Sequence, residues 1–140
     1  MIAPQFPFNE IFNVPFLGTS LWLSDSLISS TSDYLQGAMF PVGFYKNSDS
    51  KNVKDFVRLY RNAYGEDPGI LAATGFDTIK MIKSLMSDGD IRTRTEFQQA
   101  LFDYDLYEGV TGHIAFDDQG EVEKFPILLT VHGRRLHVLK

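Results

Sequence analysis

Hydrophobic spacing predicts three main helices in the middle of the chain. The first follows the capping residues 48–50, carries an i, i+3, i+4, i+7, i+11 apolar stripe, and ends at Gly65, a typical left-handed C-cap. The second covers about residues 69–86 and is apolar around much of its first half, so we expect that half to lie between two layers. The third begins at a capping box formed by Thr93 and Glu96.

Shorter apolar segments on either side of these helices predict strands. Residues 15–20 form an apolar run that ends in glycine and small polar residues, which predicts a buried strand followed by a loop. Residues 37–45 predict a second strand, in which Pro41 and Gly43 indicate a sheet edge or a crossing between layers. After residue 109 the period changes to two, and two turns predict a C-terminal β meander. The whole pattern is typical of an α/β fold.

Composition narrows the classes of protein that fit the chain. Its 140 residues, 44% hydrophobic and 22% charged, have the balance of a single globular domain. A net charge of −5 argues against nucleic acid as a partner. The absence of cysteine excludes disulfides, cysteine-ligated zinc and iron–sulfur clusters. No apolar run reaches the roughly 20 residues that a membrane-spanning helix needs.

The start of the sequence is unusual. The first eight residues are mostly apolar, contain two prolines, and lack the basic region that opens a signal peptide. Chain termini are ordinarily poorly packed and polar. We therefore expect this sequence to be a truncated part of a longer protein.

Residue types that could support catalysis or metal binding do not form a recognisable site. His113, His132 and His137 form no i, i+4 helical pair, and the acidic residues within 117–123 are too few and too close for a calcium loop, which favours a charged hairpin tip. Glycine-rich phosphate-binding motifs and the nucleophile elbow are absent from the sequence. We therefore predict no catalytic residue, no metal site and no cofactor.

One loop carries the residues most suited to binding a small ligand. Thr19, Ser20, Leu21 and Trp22 directly follow a predicted strand. In open α/β sheets, ligands bind beyond the carboxyl ends of strands, where loops offer backbone N–H groups, hydroxyls and aromatic faces. The only tryptophan fits the wall of an apolar pocket, and ordinary packing beneath a loop is the alternative that stays open.

A set of short motifs resembles one known family in order and spacing. The motifs are Gly37-Ala38-Met39-Phe40, Phe56-x3-Tyr60-x3-Tyr64-Gly65-x2-Pro68, Ala72-Ala73-x2-Phe76-Asp77, Thr93-Arg94, and Gly109-x2-Gly112-x-Ile114-x-Phe116-Asp117-x2-Gly120. Together they resemble the C-terminal portion of type I periplasmic solute-binding proteins of ABC transporters, in the leucine/isoleucine/valine-binding group. The similarity extends to nearly the whole chain through Ile2-Ala3-Pro4 and Leu17-Gly18-Thr19.

The resemblance implies an α/β fold built from parts of two lobes of a Venus-flytrap receptor. Residues 1–36 and 93–140 would come from one lobe, and residues 37–92, a crossover followed by two helices, from the other. The expected architecture is a partial type I lobe or lobes, with about three main helices, strands and a C-terminal β meander. Because such a portion leaves apolar surface uncovered, we expect homo-oligomerisation or exchange of elements between chains.

The resemblance also implies a receptor rather than an enzyme. The intact protein would be exported to the periplasm, capture an amino-acid-like ligand in the cleft between its lobes, close around a hinge, and deliver the ligand to a membrane permease. The alternative is a regulatory or scaffold lobe of the same fold that binds a protein partner, such as a cell-wall synthase, without a ligand. A small α/β enzyme is a third hypothesis, for which the sequence identifies no site.

The ligand-binding residues expected from the family carry over only in part. Amino-acid-binding members are expected to have an acidic residue two positions after the glycine that ends the first strand, where this chain has Ser20. They often have an aromatic residue at the start of the second helix, where the nearest position here is Leu71. Loss of the carboxylate removes a charge-assisted contact of about 1.5–3 kcal/mol, which argues against a standard branched-chain amino acid. The candidate ligand-binding residues are Thr19, Ser20, Leu21, Trp22 and Leu71.

Overall fold

The fold, taken from a computed structural model, combines helices with short antiparallel strands. The structure describes residues 4–11, 14–24, 28, 30–88, 90–104 and 106–139. The α/β class predicted from the sequence is confirmed. In chain order the elements are α1 (Gln5–Phe8), β1 (Met39–Val42), α2 (Lys51–Tyr64), α3 (Ile70–Asp88), α4 (Arg94–Phe102), β2 (Tyr107–Gly109), β3 (Gly112–Phe116), β4 (Val122–Lys124), β5 (Ile127–His132) and β6 (Arg135–Val138).

Helix α2 follows the predicted boundaries closely. Its apolar stripe buries Val53, Phe56 and Val57. Gly65 adopts the left-handed conformation, with φ of 74°, and its N–H donates to the carbonyl of Arg61, so the predicted C-cap is confirmed. Ser50 occupies the N-cap position, but its side chain makes no capping hydrogen bond. The helix is therefore defined mainly by its apolar face and its glycine terminus.

Helix α3 packs on one side only within the described residues. Ala73, Asp77, Met81 and Leu85, spaced four residues apart, are buried. The prediction that the first half of this helix lies between two layers is wrong for the described part of the chain, because the opposite side is exposed there. The elements present supply one layer to pack against, and nothing described covers the other side.

The predicted capping box at the start of α4 is confirmed. The Glu96 N–H donates to Thr93 Oγ1 at 3.2 Å, and the Thr93 N–H donates to Glu96 Oε2 at 2.8 Å. The Arg92 N–H donates to the same carboxylate, and these bonds lower the pKa of Glu96. The apolar side of this short helix is half-buried rather than buried, so its start is fixed more by capping than by packing.

The strands form two antiparallel sheets, ordered β2-β3-β4 and β1-β5-β6. The predicted C-terminal meander is therefore divided: β2 to β4 form a meander, whereas the β5–β6 hairpin pairs with β1. Pro126, which has no N–H to donate, lies between β4 and β5. Pro41 lies in β1, the outer strand of its sheet, as its predicted edge position requires.

The strand predicted over residues 15–20 is wrong. The structure has a single parallel bridge between Leu17 and Met39 instead of a ladder, and Leu17 is largely exposed. Pro15 cannot donate a hydrogen bond, and the chain turns into a 3-10 helix at Ser20, so only a short stretch runs beside β1.

The chain divides into two compact units, Met1–Val42 with Pro126–Lys140, and Gly43–Phe125. The first contains the β1-β5-β6 sheet and buries Phe40, Leu129 and Val131. The second has a core of Val53, Phe56, Val57, Ala73 and Val110. These boundaries differ from the predicted lobe boundaries, residues 1–36 with 93–140 and residues 37–92, because β1 pairs with β5. The assignment of residues to lobes stays a prediction.

Candidate functional site

Residues Thr19–Trp22, the 19–22 turn, directly follow the short stretch around Leu17 that runs beside β1. The Met39 N–H donates to the carbonyl of Phe16, and the Gly18 N–H donates to the carbonyl of Met39, both at 2.9 Å. A 3-10 helix follows over Ser20–Trp22, in which the Trp22 N–H donates to the Thr19 carbonyl at 3.0 Å. Backbone hydrogen bonds on both sides therefore fix the position of the turn.

The aromatic side of the turn rests on the core of the first compact unit. The Trp22 and Phe40 rings are 6.4 Å apart between centroids, and Phe40 is fully buried. A Cβ atom at Gly18 would lie 2.6 Å from Phe40 Cδ1, so only glycine fits at this position. Trp22 retains 38% exposure, which means that it packs over the core and also presents part of its ring to solvent.

The remaining candidate residues are exposed. Thr19 and Ser20 lie at the surface of the first unit, and the side chain of Leu21 is 91% exposed. The turn thus presents two hydroxyl-bearing residues and an apolar side chain beside part of an indole ring. Leu71 is an exposed residue of α3 in the second unit, and its role in ligand binding stays a prediction.

A buried polar cluster in the second unit, the Asp77 cluster, consists of Asp77, Val110, Thr111 and Lys124. The Asp77 carboxylate accepts the N–H groups of Val110 and Thr111, each at 2.8 Å, and also the hydroxyl of Thr111. Lys124 Nζ donates to the same hydroxyl. Asp77 and Thr111 are almost completely buried, so the cluster ties α3 to the turn between β2 and β3.

The cluster satisfies its own charges and therefore serves the fold rather than a ligand. Burial lowers the pKa of Lys124, and the negative charge of Asp77 opposes that shift. Burial also raises the pKa of Tyr107, with a smaller contribution from Asp77. A Cβ atom at Gly109 would lie 2.6 Å from Asp77 Cγ, so glycine is required there. The local sequence offers one signal of this cluster, an aspartate in the apolar stripe of a predicted helix.

Asp67 forms the most strongly paired surface ion cluster among the described residues. It accepts hydrogen bonds from Arg61 and from Lys46 Nζ, the latter at 2.8 Å. The hydrogen bond from Arg61, followed by that from Lys46, lowers the pKa of Asp67 to about 2. All three side chains are partly exposed, so the cluster joins the end of α2 to the preceding and following loops without forming a closed site.

The lowered pKa of Asp67 predicts a pH dependence of stability. Because its folded pKa of about 2 lies below its ordinary value of 3.8, ionised Asp67 stabilises the fold above pH 4, and this contribution is lost as the pH falls towards 2. The difference in free energy of unfolding between the wild type and Asp67→Asn should be constant from pH 5 to 7 and should shrink below pH 4. Urea titrations at several pH values measure it; a difference independent of pH contradicts the prediction.

The histidines and the acidic turn form no evident binding site. Within the described ranges, no three His, Cys, Asp or Glu side chains are grouped to hold a metal ion. Asp117 Oδ1 accepts the N–H groups of Gln119 and Glu121, and so closes the turn between β3 and β4, as a hairpin tip requires.

None of the described helices combines the length and hydropathy of a membrane span.

Comparison with known proteins gives consistent matches. The family profile described as periplasmic binding protein matches residues 5–124. A solved structure assigned to a branched-chain amino acid ABC transporter of Rhodospirillum rubrum is 27% identical, with a TM-score of 0.82 over 94% of this chain and 39% of that one. No curated protein sequence matches the chain.

Two further solved structures, both under 25% identical, share the fold. A leucine binding protein from Thermotoga maritima is 19% identical, with a TM-score of 0.61 over 99% of this chain and 40% of that one. A branched-chain amino acid transporter substrate binding protein from Streptococcus pneumoniae, in complex with isoleucine, is 22% identical, with a TM-score of 0.59 and the same coverage. The chain thus spans about two-fifths of the length of these structures.

Proposed function

Because the chain belongs to the periplasmic binding protein family, we propose that it is part of an exported receptor that captures a small ligand for an ABC transporter. The fold match to the Rhodospirillum rubrum protein, at 27% identity over 94% of the chain, is the observation that carries this proposal. The related structures, which include a leucine binding protein and a protein in complex with isoleucine, support an amino-acid-like ligand. The role is binding without catalysis, in the periplasm, with a membrane permease as the partner of the intact receptor.

The 19–22 turn is the proposed contact of this chain with the ligand. Thr19 and Ser20 supply hydroxyls, Leu21 supplies an exposed apolar side chain, and Trp22 supplies the exposed part of an indole ring held by Phe40. Because residue 20 is serine, no carboxylate of the turn pairs with a ligand ammonium. The turn therefore suits a small carboxylic acid whose binding does not depend on an ammonium contact there. Leu71 is proposed as a further, apolar contact.

The assignment of residues to lobes is also a proposal. The compact units favour Met1–Val42 with Pro126–Lys140 in one lobe and Gly43–Phe125 in the other, which modifies the boundaries expected from the sequence. In such a receptor the ligand would bind the closed conformation more tightly than the open one, and binding would therefore favour closure of the lobes. The alternative of a ligand-independent regulatory or scaffold lobe gains no support, because the related structures are described as transporter components.

Tryptophan fluorescence provides the test, because Trp22 is the only tryptophan in the chain. A saturable change in emission is expected on titration with a small carboxylic acid, for which benzoate is the probe. Leucine is expected to bind weakly to the wild type and at least tenfold more tightly to Ser20→Asp, because the new carboxylate contacts the ammonium, a charge-assisted bond of about 1.5–3 kcal/mol.

The matched control is Ser50→Asp, which adds the same charge at the start of α2 in the other compact unit. This variant should leave both titrations unchanged. If neither probe binds the intact receptor that contains this chain, and Ser20→Asp leaves leucine binding by that receptor as it is in the wild type, the 19–22 turn is not the ligand contact.

A further inference from the structure

Helix α3 has a second apolar side in addition to its buried one. Gly75, Ile79, Ile82 and Met86 follow the spacing i, i+4, i+7, i+11, which places them on one side of a helix, and we call this side the α3 outer face. Ile79 is 66% exposed and Met86 57%, whereas Ile82 is half-buried. Leu71, the proposed ligand contact, is not counted in this face. A helix that is apolar on opposite sides is typical of one covered from both directions.

Gly75, at one end of the α3 outer face, indicates close approach by another element. A glycine inside a helix destabilises it relative to alanine, so its presence needs a reason. A Cβ atom built on Gly75 would have no other atom within 4 Å, so no described residue of this chain requires a glycine there. Polypeptide that packs directly on the helix backbone would require it.

An apolar groove between α2 and α3 adjoins this face. The groove has a volume of about 730 Å³, and its lining includes Gly75 and Ile79. Phe56 and Phe76, whose ring centroids are 4.6 Å apart, lie along it. Leu59, on the α2 side of the groove, is 56% exposed. Exposed apolar surface that continues from one helix to the next is typical of surface buried against a further layer of the same fold.

The related structures indicate where such a layer comes from. The match covers 39% of the Rhodospirillum rubrum structure and 40% of the Thermotoga maritima one, so about three-fifths of each lies outside it. An α/β domain buries the apolar sides of its helices against a sheet or against neighbouring helices. The described residues of this chain supply a layer on the side of α3 that buries Ala73 and Met81, and none on the α3 outer face.

We propose that polypeptide of the same receptor outside residues 1–140 packs on the α3 outer face and the adjoining groove, and that it lies directly against the backbone at Gly75. The inference rests on the proposed function only in that the chain is part of a longer receptor. It does not depend on which ligand the receptor binds.

The charges of α3 mark the edge of the covered surface. The four residues of the α3 outer face are uncharged. Lys80 and Lys83 lie at the border of the groove and are exposed. The Nζ atom of Lys80 is 5.7 Å from the centroid of the Phe76 ring, so the ammonium closes that end of the aromatic row. Because lysine is almost never fully buried without a partner, we expect the cover to stop before these two side chains.

Thiol accessibility in the intact receptor tests this packing, because residues 1–140 contain no cysteine. The thiol of Ile79→Cys should react with a soluble thiol reagent at least about tenfold more slowly than that of Asn62→Cys, since a covered thiol reacts only after local opening. Asn62 is the matched control because it is exposed on the charged side of α2. In urea the two thiols should react equally fast. Both rates should be independent of protein concentration, because the cover belongs to the same molecule.

The melting temperature of Gly75→Leu in the intact receptor gives a second measurement, whose sign is decisive. Leucine favours helix more than glycine does, so the substitution should raise the melting temperature if position 75 is uncovered. If polypeptide packs directly on Gly75, the leucine side chain has no space, and we expect the receptor to melt below the wild type. Asn62→Leu is the matched control and should not lower the melting temperature, because Asn62 is exposed.

Three results would contradict the proposal. An Ile79→Cys thiol that reacts as fast as that of Asn62→Cys overturns it, and so does a Gly75→Leu receptor that melts above the wild type. Protection of the Ile79→Cys thiol that appears only as the protein concentration rises overturns it as well, and assigns the face to the association between copies expected from the sequence. Neither measurement involves a ligand, so a receptor that binds neither benzoate nor leucine contradicts the proposed function alone.

Discussion

Replacing Asp77 by alanine is expected to lower the free energy of unfolding by at least about 3 kcal/mol, because three buried donors lose their acceptor, at about 1–3 kcal/mol each. Lys124 would also lose the negative charge that favours its ammonium form. Urea denaturation monitored by circular dichroism measures the loss. The turn between β2 and β3 should show the earliest increase in amide hydrogen exchange, because Asp77 holds its N–H groups.

Two variants separate the buried carboxylate from a general effect of removing an aspartate. Asp55→Ala removes an exposed aspartate that pairs with Arg58, and it should cost less than about 1 kcal/mol. Asp77→Asn should recover only part of the stability, because its amide nitrogen donates where the Asp77 cluster already supplies donors. A loss below 1 kcal/mol in Asp77→Ala would mean that the cluster does not hold the second unit together.

Phe40→Ala is expected to destabilise the first compact unit by about 3–5 kcal/mol, the usual cost of removing a fully buried phenylalanine ring. The ring fills the space beside Gly18 and supports Trp22, so its loss should also move the emission of the only tryptophan to longer wavelength. Denaturation followed by tryptophan fluorescence records both effects in the same experiment.

The control for Phe40→Ala is Phe125→Ala, because Phe125 is 80% exposed. That change should alter the free energy of unfolding by no more than about 0.5 kcal/mol and should leave the emission of Trp22 unchanged. Equal effects of the two substitutions would contradict the assignment of Phe40 to the core beneath the 19–22 turn.

The features that could be predicted from the sequence are those set by neighbouring residues. The end of α2 at Gly65 depends on one left-handed residue, and the start of α4 depends on the reciprocal bonds of Thr93 and Glu96. Both signals lie within four residues of the structure they determine, so no knowledge of distant segments is needed. The family resemblance extended the prediction to the fold class as a whole.

The features that could not be predicted depend on segments far apart in the chain. The split of the meander into two sheets follows from the pairing of β1 with β5, and hydrophobic alternation does not identify a pairing partner. The Asp77 cluster joins residues 33 and 34 positions apart, so the sequence reveals the aspartate but not its donors. The 19–22 turn was identified as a candidate site from its residue types, whereas its support on Phe40 required the structure.

The pairing of Val42 with Ile127 has a consequence for engineering the chain. Gly43–Phe125 departs from the end of one strand and returns at the start of the adjacent antiparallel strand, so the whole segment occupies the place of a hairpin loop. Neighbouring strands lie about 4.8 Å apart, a gap that an Asn-Gly turn closes. We therefore expect that the segment can be removed, or moved to another hairpin, through a single pair of adjacent junctions.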